Sequence, residues 1–274
     1  MVSLAYYGDL THKLLSDLGQ EYDDQLDMGD RNNALQVLRG IGVRKRFGIR
    51  HYDCLPGKTA VPEFIANFIA PACGVLGMTI PLLERISQDF AEYLSGKTAY
   101  AEQVREQLRN ELCEMFDRGD RVMLITHGTG CVVAYDVLWQ LSHEQSYAEQ
   151  YSDAKVDHWI TLGAPLGDNS IRKRLLGADG EPVSYPTNVI TWHNISAEDD
   201  YTCHDNTLAD DFKSMVEQRV VSTVHDYHVY NLAVRYGKSN PHSSIGYYIH
   251  PRVSKILTDW LRQPILDAEP NYTI

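Results

Sequence analysis

Val-Met-Leu-Ile-Thr-His-Gly-Thr-Gly-Cys-Val-Val-Ala-Tyr-Asp, residues 122–136, contains an apolar run, a turn with two glycines and the start of an apolar helix. The first five residues suit a strand that is buried on both faces. The helical pattern begins directly after Gly130. A strand that passes into a helix through so short a turn is typical of a parallel sheet covered by helices.

The rest of the chain continues this alternation. Hydrophobic periodicity predicts strands at residues 2–7, 121–126, 156–162, 188–192 and 225–234. It predicts helices at residues 82–94, 100–116, 130–141, 170–176 and 251–261. The polar stretch through about residue 58 is rich in Gly and Asp and predicts irregular structure. We therefore expect an α/β fold with a mostly parallel sheet flanked by helices, in one domain over residues 1–274.

Residues 64–83 are uncharged and mostly apolar, long enough for a membrane span. Pro71, Gly74, Gly77 and Pro81 interrupt the run, so we expect short helical pieces and no span. We expect residues 59–96 to form a cap-like or pocket-lining helical insertion, although a pair of apolar core helices has the same sequence pattern. The apolar character of the insertion predicts a hydrophobic or acyl-bearing small molecule as ligand.

Composition excludes several classes of function. The net charge is −12, from 37 acidic and 25 basic residues, which disfavours binding to nucleic acid. The five cysteines lack a CxxC spacing, and the histidines show no paired ligand spacing, so we expect no metal and no cofactor. Reduced thiols and the lack of a secretory signal predict a cytoplasmic protein.

The turn reads Thr126-His-Gly-Thr-Gly130 and leads into a helix that contains Ala-Tyr-Asp. It resembles the nucleophile elbow of α/β-hydrolases, G-x-S-x-G, in the variant Thr-His-Ser-x-Gly. The resemblance implies the α/β-hydrolase fold, in a lipase/esterase-like bacterial branch that hydrolyses carboxylic esters. Gly128 stands where that family has its nucleophilic serine.

A glycine is physically compatible with this position. The elbow holds its nucleophile at a strained backbone angle, which costs a non-glycine residue on the order of 1–3 kcal/mol. Glycine adopts positive φ without a Cβ penalty. We therefore predict positive φ at Gly128.

The resemblance also implies an acid and a histidine that follow in chain order. Asp200 is the first candidate for the acid and Asp199 the second, in a loop that follows the predicted strand 188–192. His242 is the candidate base, whereas His250 precedes Pro251 and resembles a residue that begins a helix. We predict a carboxylate of Asp200 or Asp199 within hydrogen-bond reach of His242.

The same family uses two backbone amides as an oxyanion hole. Thr129 supplies the first. The second normally comes from a His-Gly-x-Gly run, which this chain lacks, and residues 4–10 resemble a segment downstream of it. We therefore expect the chain to begin inside the usual domain. Strand 2–7 would then pair with the elbow strand, or a second copy would lend a strand edge and form a homo-oligomer.

Three interpretations follow. The first is an ester hydrolase that is inactive in this form because Gly128 replaces serine. The second is a pseudo-hydrolase that binds a ligand or a protein. The third is a Rossmann-like nucleotide binder that uses Gly128-x-Gly130, which Val133 disfavours because it occupies the third glycine's place. Thr129 is a poor substitute nucleophile, because its hydroxyl points from the first helical turn.

Overall fold

The computed structural model describes residues 1–20, 23–44, 47–57, 87–96, 98–203 and 207–263, with the backbone alone for residues 42–44. Its centre is a four-stranded sheet in the order β1-β2-β3-β4, in which every neighbouring pair is parallel. The strands are β1 Val122–His127, β2 Val156–Leu162, β3 Val189–Ala197 and β4 Thr223–Val229. A short antiparallel pair follows, β5 Val234–Arg235 and β6 Lys238–Ser239. The predicted parallel sheet with flanking helices is confirmed.

The helices before the sheet are α1 Gly8–Asp17, α2 Asp24–Arg44, α3 Ile49–Tyr52, α4 Gln88–Ser95 and α5 Ala99–Asp117. Those between the strands are α6 Gly130–His143, α7 Gln145–Tyr151, α8 Asn169–Arg172, α9 Leu208–Asp211 and α10 Lys213–Glu217. The chain then forms α11 Ser244–Tyr248 and α12 Pro251–Arg262.

Apolar side chains cover both faces of the sheet. On one face Trp159 and Trp192 stack at 4.4 Å between ring centroids, and Leu138 of α6 belongs to the same buried cluster. On the other face Ile160 and Ile195 form a cluster with side chains of α11 and α12. Strands that are buried on both faces require a near-continuous apolar sequence. This is the sequence pattern from which these strands were predicted.

A buried polar chain also connects three strands. The Thr161 hydroxyl donates to Asn194 Oδ1 at 3.0 Å, and Asn194 Nδ2 donates to Asp226 Oδ1 at 2.8 Å. The Trp192 indole N–H in turn donates to the Thr161 hydroxyl at 3.0 Å. Buried polar groups are costly unless they are paired, so these bonds favour a single register of β2, β3 and β4.

Parallel strands end at the same edge of their sheet. The turn after β1, the loops after β2 and β3 and the segment after β4 therefore begin at one edge. Binding sites in open α/β sheets form at this edge, outside the carboxyl ends of the strands.

The predicted first strand is wrong, because residues 1–7 form no strand and do not pair with β1. Ala5 and Tyr7 pack against the core, whereas Leu4 and Tyr6 are exposed. This alternation matches a strand, but a strand also needs a neighbour for its backbone groups. The predicted pairing with the elbow strand is wrong for the same reason.

The expectation of irregular structure before residue 58 is also wrong, since α1, α2 and α3 lie there. Acidic residues in their first turns, Asp9 in α1 and Asp24 in α2, favour helix formation. Leu38 of α2 packs with Tyr52 in a small buried cluster. Tertiary packing thus outweighs the glycines and aspartates of this stretch.

Other predicted bounds change modestly. β3 extends beyond the predicted 188–192, α8 is shorter than the predicted 170–176, and the predicted strand 225–234 divides into β4 and β5. The predicted apolar segment 64–83, and most of the cap at 59–96, lie outside the described residues. No helix within the described ranges is long and apolar enough to cross a membrane.

The packing of α6 on the sheet generates a stability prediction. Leu138 is 0 % exposed, and Leu138→Ala should lower the free energy of unfolding by about 2–5 kcal/mol because it leaves a cavity. Leu261→Ala is the matched control, since Leu261 is 67 % exposed, and its effect should stay within about 0.5 kcal/mol. Urea unfolding followed by circular dichroism measures both. Equal losses would contradict the assigned core.

Candidate active site

Gly128 lies at the junction of β1 and α6, with φ at +54°. This is the conformation that the strain argument predicts, and it is costly for any residue with a Cβ. The Gly128 amide donates to the Leu162 carbonyl at 2.9 Å, which ties the turn to the end of β2. The turn is therefore held in place by the sheet.

The imidazole of His242 faces this glycine. A Cβ built on Gly128 would lie 3.0 Å from His242 Nε2 and 3.3 Å from Cε1. These contacts are closer than ordinary van der Waals packing, so a side chain here would displace the ring by a few tenths of an ångström. The ring thus occupies part of the space that a side chain at residue 128 would need.

Asp200 holds the other side of the ring. His242 Nδ1 lies 3.0 Å from Asp200 Oδ2 and 3.1 Å from Oδ1. The structure therefore places Gly128, His242 and Asp200 in one line of contact, as predicted. Asp200 lies three residues after the end of β3 and its side chain is fully buried.

Three further donors satisfy the Asp200 carboxylate. Tyr247 O–H donates to Oδ2 at 2.7 Å, while the Thr202 amide and hydroxyl donate to Oδ1 at 3.0 and 2.7 Å. Burial by itself raises the pKa of Asp200. His242 outweighs this effect through its hydrogen bond and its charge, and the Thr202 and Tyr247 donors add to it. The pKa of Asp200 therefore lies below its ordinary value. Asp200 is therefore a carboxylate at neutral pH.

Sequence reasoning missed Tyr247 and Thr202. The Tyr247 oxygen also accepts the Ala197 amide at 2.9 Å, and burial raises the pKa of Tyr247 well above its ordinary value. Tyr247 is therefore protonated at neutral pH and can donate its hydroxyl hydrogen to Asp200. No sequence motif marks either residue, because their role depends on where α11 and the β3 loop pack.

Gly163, at the end of β2, was also missed. It has φ at +55°, and a Cβ there would lie 2.8 Å from Asp200 Oδ2 and 3.1 Å from His242 Nδ1. Only glycine fits so close to the hydrogen-bonded pair. A glycine directly after an apolar strand was the available signal.

His127 supports the ring of His242 from the turn itself. Its Nε2 lies 2.8 Å from the His242 carbonyl oxygen, and the two ring centroids are 4.5 Å apart. Burial lowers the pKa of His127 to about 4, with the nearby His242 adding to the effect. His127 is therefore neutral at pH 7 and packs against the ring of His242.

The remaining candidates lie elsewhere. Asp199, the second candidate for the acid, accepts the Tyr52 hydroxyl at 2.8 Å. Asp200, and not Asp199, therefore lies beside His242. His250 is the N-cap of α12, and its Nδ1 accepts the Arg252 amide at 3.1 Å. Thr129 has helical backbone angles and precedes α6, at its N-cap.

Tyr7 lies at the same end of α6. Its hydroxyl oxygen would be 3.3 Å from a Cβ on Gly130. Burial raises the pKa of Tyr7 to about 12, and a hydrogen bond with the Thr129 side chain opposes this only in part. Tyr7 therefore keeps its proton at neutral pH.

Within the described ranges, no group of three or more His, Cys, Asp or Glu side chains is placed to hold a metal ion. No protein-family model matches the chain, and neither the curated proteins nor the solved structures contain a significant match.

The partly buried imidazole of His127 generates a prediction about pH. Between its ordinary pKa of 6.5 and about 4, the unfolded chain binds a proton at this residue that the folded chain does not. The free energy of unfolding should therefore fall as pH falls through this range, by about 1–3 kcal/mol from His127 alone.

His127→Gln is the matched variant, because its amide can still donate to the His242 carbonyl but does not titrate. Urea unfolding at pH 7, 5.5 and 4.5 should show a smaller loss for this variant than for the wild type. The same pH dependence in both proteins would show that His127 titrates normally.

Proposed function

We propose that this chain is an α/β-hydrolase of the carboxylic-ester (lipase/esterase) type in which Gly128 removes the acyl-enzyme route. The observation that carries the proposal is the alignment of Asp200, His242 and Gly128. A buried carboxylate orients a histidine whose free nitrogen points at a left-handed turn between strand and helix. This is the arrangement of acid, base and nucleophile position in serine hydrolases.

The position of each group in the chain supports the same proposal. Gly128 follows β1, Asp200 follows β3 and His242 follows β4, so their order is nucleophile, acid, base. All three segments begin at the carboxyl edge of a parallel sheet. That order and that edge are the ones α/β-hydrolases use.

The covalent step needs an oxygen or sulfur atom that Gly128 lacks. Thr129 does not replace it, because its backbone is already helical and it lies at the N-cap of α6, one residue beyond the turn position that faces His242. Serine at residue 128 would restore the missing hydroxyl next to His242 Nε2. We therefore expect the lack of this one side chain to be sufficient to remove acyl-enzyme chemistry from the site.

The proposed ligand is a hydrophobic or acyl-bearing small molecule, from the apolar character of residues 64–83. The second candidate function is a pseudo-hydrolase that binds such a ligand, or a protein, without chemistry. The glycine itself favours this candidate, since it is compatible with binding and removes the nucleophile.

Gly128→Ser separates these two functions. The variant should hydrolyse short-chain 4-nitrophenyl esters at least about 10²-fold faster than Gly128→Ala, because only serine supplies a hydroxyl that His242 can activate. Both variants should lose about 1–3 kcal/mol of stability, since both place a Cβ at positive φ. Gly128→Ala is hence the matched control for strain.

The double variant Gly128→Ser/His242→Ala should lose the gained activity. Labelling by a fluorophosphonate should likewise require both the serine and His242. A serine variant no faster than Gly128→Ala, with the fold intact by circular dichroism, would reject the hydrolase proposal and favour the binding module.

A further inference from the structure

His242 has a basic nitrogen that the Asp200 contact leaves available. Nδ1 lies 3.0 Å from Asp200 Oδ2 and 2.8 Å from the Thr202 hydroxyl oxygen. The Thr202 proton goes to Asp200, so in the neutral ring the proton lies on Nδ1 and the lone pair on Nε2. That lone pair points toward Gly128, where no side chain is present. The His242 side chain is 29 % exposed, so water has access to the ring.

Groups that suit a developing negative charge lie at the start of α6, within two residues of Gly128. At the start of α6 the amides of Cys131, Val132 and Val133 donate to the Gly128 and Thr129 carbonyls. Among the described residues, the amides of Thr129 and Gly130 have no backbone acceptor and are left for a developing negative charge. The helix is 14 residues long, and its N-terminal end carries a partial positive charge. The Tyr7 hydroxyl, which keeps its proton, lies at the same end.

We propose that the wild-type chain hydrolyses activated carboxylic esters slowly, by direct attack of a water molecule that His242 deprotonates. The inference rests on the proposed function and adds an activity that needs no nucleophilic side chain. The oriented pair of Asp200 and His242 is the part of the machinery that Gly128 leaves intact.

The step balances without any further reactant. His242 Nε2 takes a proton from water as the water oxygen bonds to the ester carbonyl carbon, and the carbonyl electron pair moves onto its oxygen. The bond from carbon to the alcohol oxygen then breaks, and Nε2 returns the proton to that oxygen. The products are the carboxylic acid and the alcohol. Asp200 stays ionised and stabilises the imidazolium that forms between the two transfers.

This route should be slower than that of a serine enzyme. A water molecule must be held by hydrogen bonds alone, whereas a serine oxygen is attached to the turn and is already positioned. A positioned general base is worth about 10²–10⁴-fold in rate. The rate that depends on His242 is therefore the quantity to measure.

The experiment compares the wild type with His242→Gln and His242→Ala on 4-nitrophenyl acetate. His242→Gln keeps an amide donor for the buried Asp200 carboxylate but removes the base, so its fold should be retained. His143→Ala controls for loss of a histidine from the exposed end of α6. All preparations are first treated with a fluorophosphonate, which inactivates contaminating serine esterases but leaves a protein without an elbow serine intact.

The wild type and His143→Ala should turn over the ester about 10²-fold faster than either His242 variant. The wild type should show no burst of nitrophenol and no acetyl adduct by intact-protein mass spectrometry. Gly128→Ser, assayed without the fluorophosphonate, should show both. A wild-type rate equal to that of His242→Gln, or an acetyl adduct on the wild type, would overturn the inference.

The two proposals fail in different ways. If Gly128→Ser is active and the wild type is not, direct water attack is wrong and the hydrolase proposal stands. If Gly128→Ser gains nothing over Gly128→Ala, the hydrolase proposal itself is wrong, whatever the wild-type rate.

Discussion

The parallel pairing of β1, β2 and β3 is the constraint on which the rest of the structure depends. It brings the carboxyl ends of these strands together, although Gly128, Gly163 and Asp200 are far apart in sequence. Backbone bonds continue the ladder past the strands, because the amides of Gly128 and Gly163 donate to the carbonyls of Leu162 and Ile195. The site is therefore an extension of the sheet and inherits its rigidity.

The second constraint is the burial of a charge. An ionised carboxylate in the interior is strongly unfavourable unless donors surround it. Asp200 has such donors in Tyr247, Thr202 and His242, and each of them is fixed in position by this need. The direction in which His242 points is thus a consequence of how Asp200 is satisfied. Glycines at residues 128 and 163 leave the space that this arrangement requires.

Much of this could be predicted from local sequence. β2 and α5 have strong periodicity, and the structure places them within one residue of their predicted bounds. Positive φ at Gly128 followed from the strain of a strand-to-helix turn, and Asp200 and His242 were named from a resemblance to a family. Two predictions for the N-terminal region were wrong. Residues 1–7 alternate like a strand but have no partner strand. The helices α1 and α2 contain residues with weak helix propensity, so the sequence did not predict them.

The sequence by itself determined the α/β alternation, the turn at Gly128 and the lack of a hydroxyl at that residue. These properties depend on side-chain periodicity and on the identity of one residue, which local chemistry expresses directly. Only the tertiary structure decided between Asp200 and Asp199, and only it revealed Tyr247, Thr202 and Gly163 beside the histidine. Asp199 and Asp200 are the same residue type at adjacent positions, so the local sequence does not distinguish them. They differ once the chain leaves β3, because Asp200 turns inward to His242 while Asp199 adopts positive φ and accepts the hydroxyl of Tyr52.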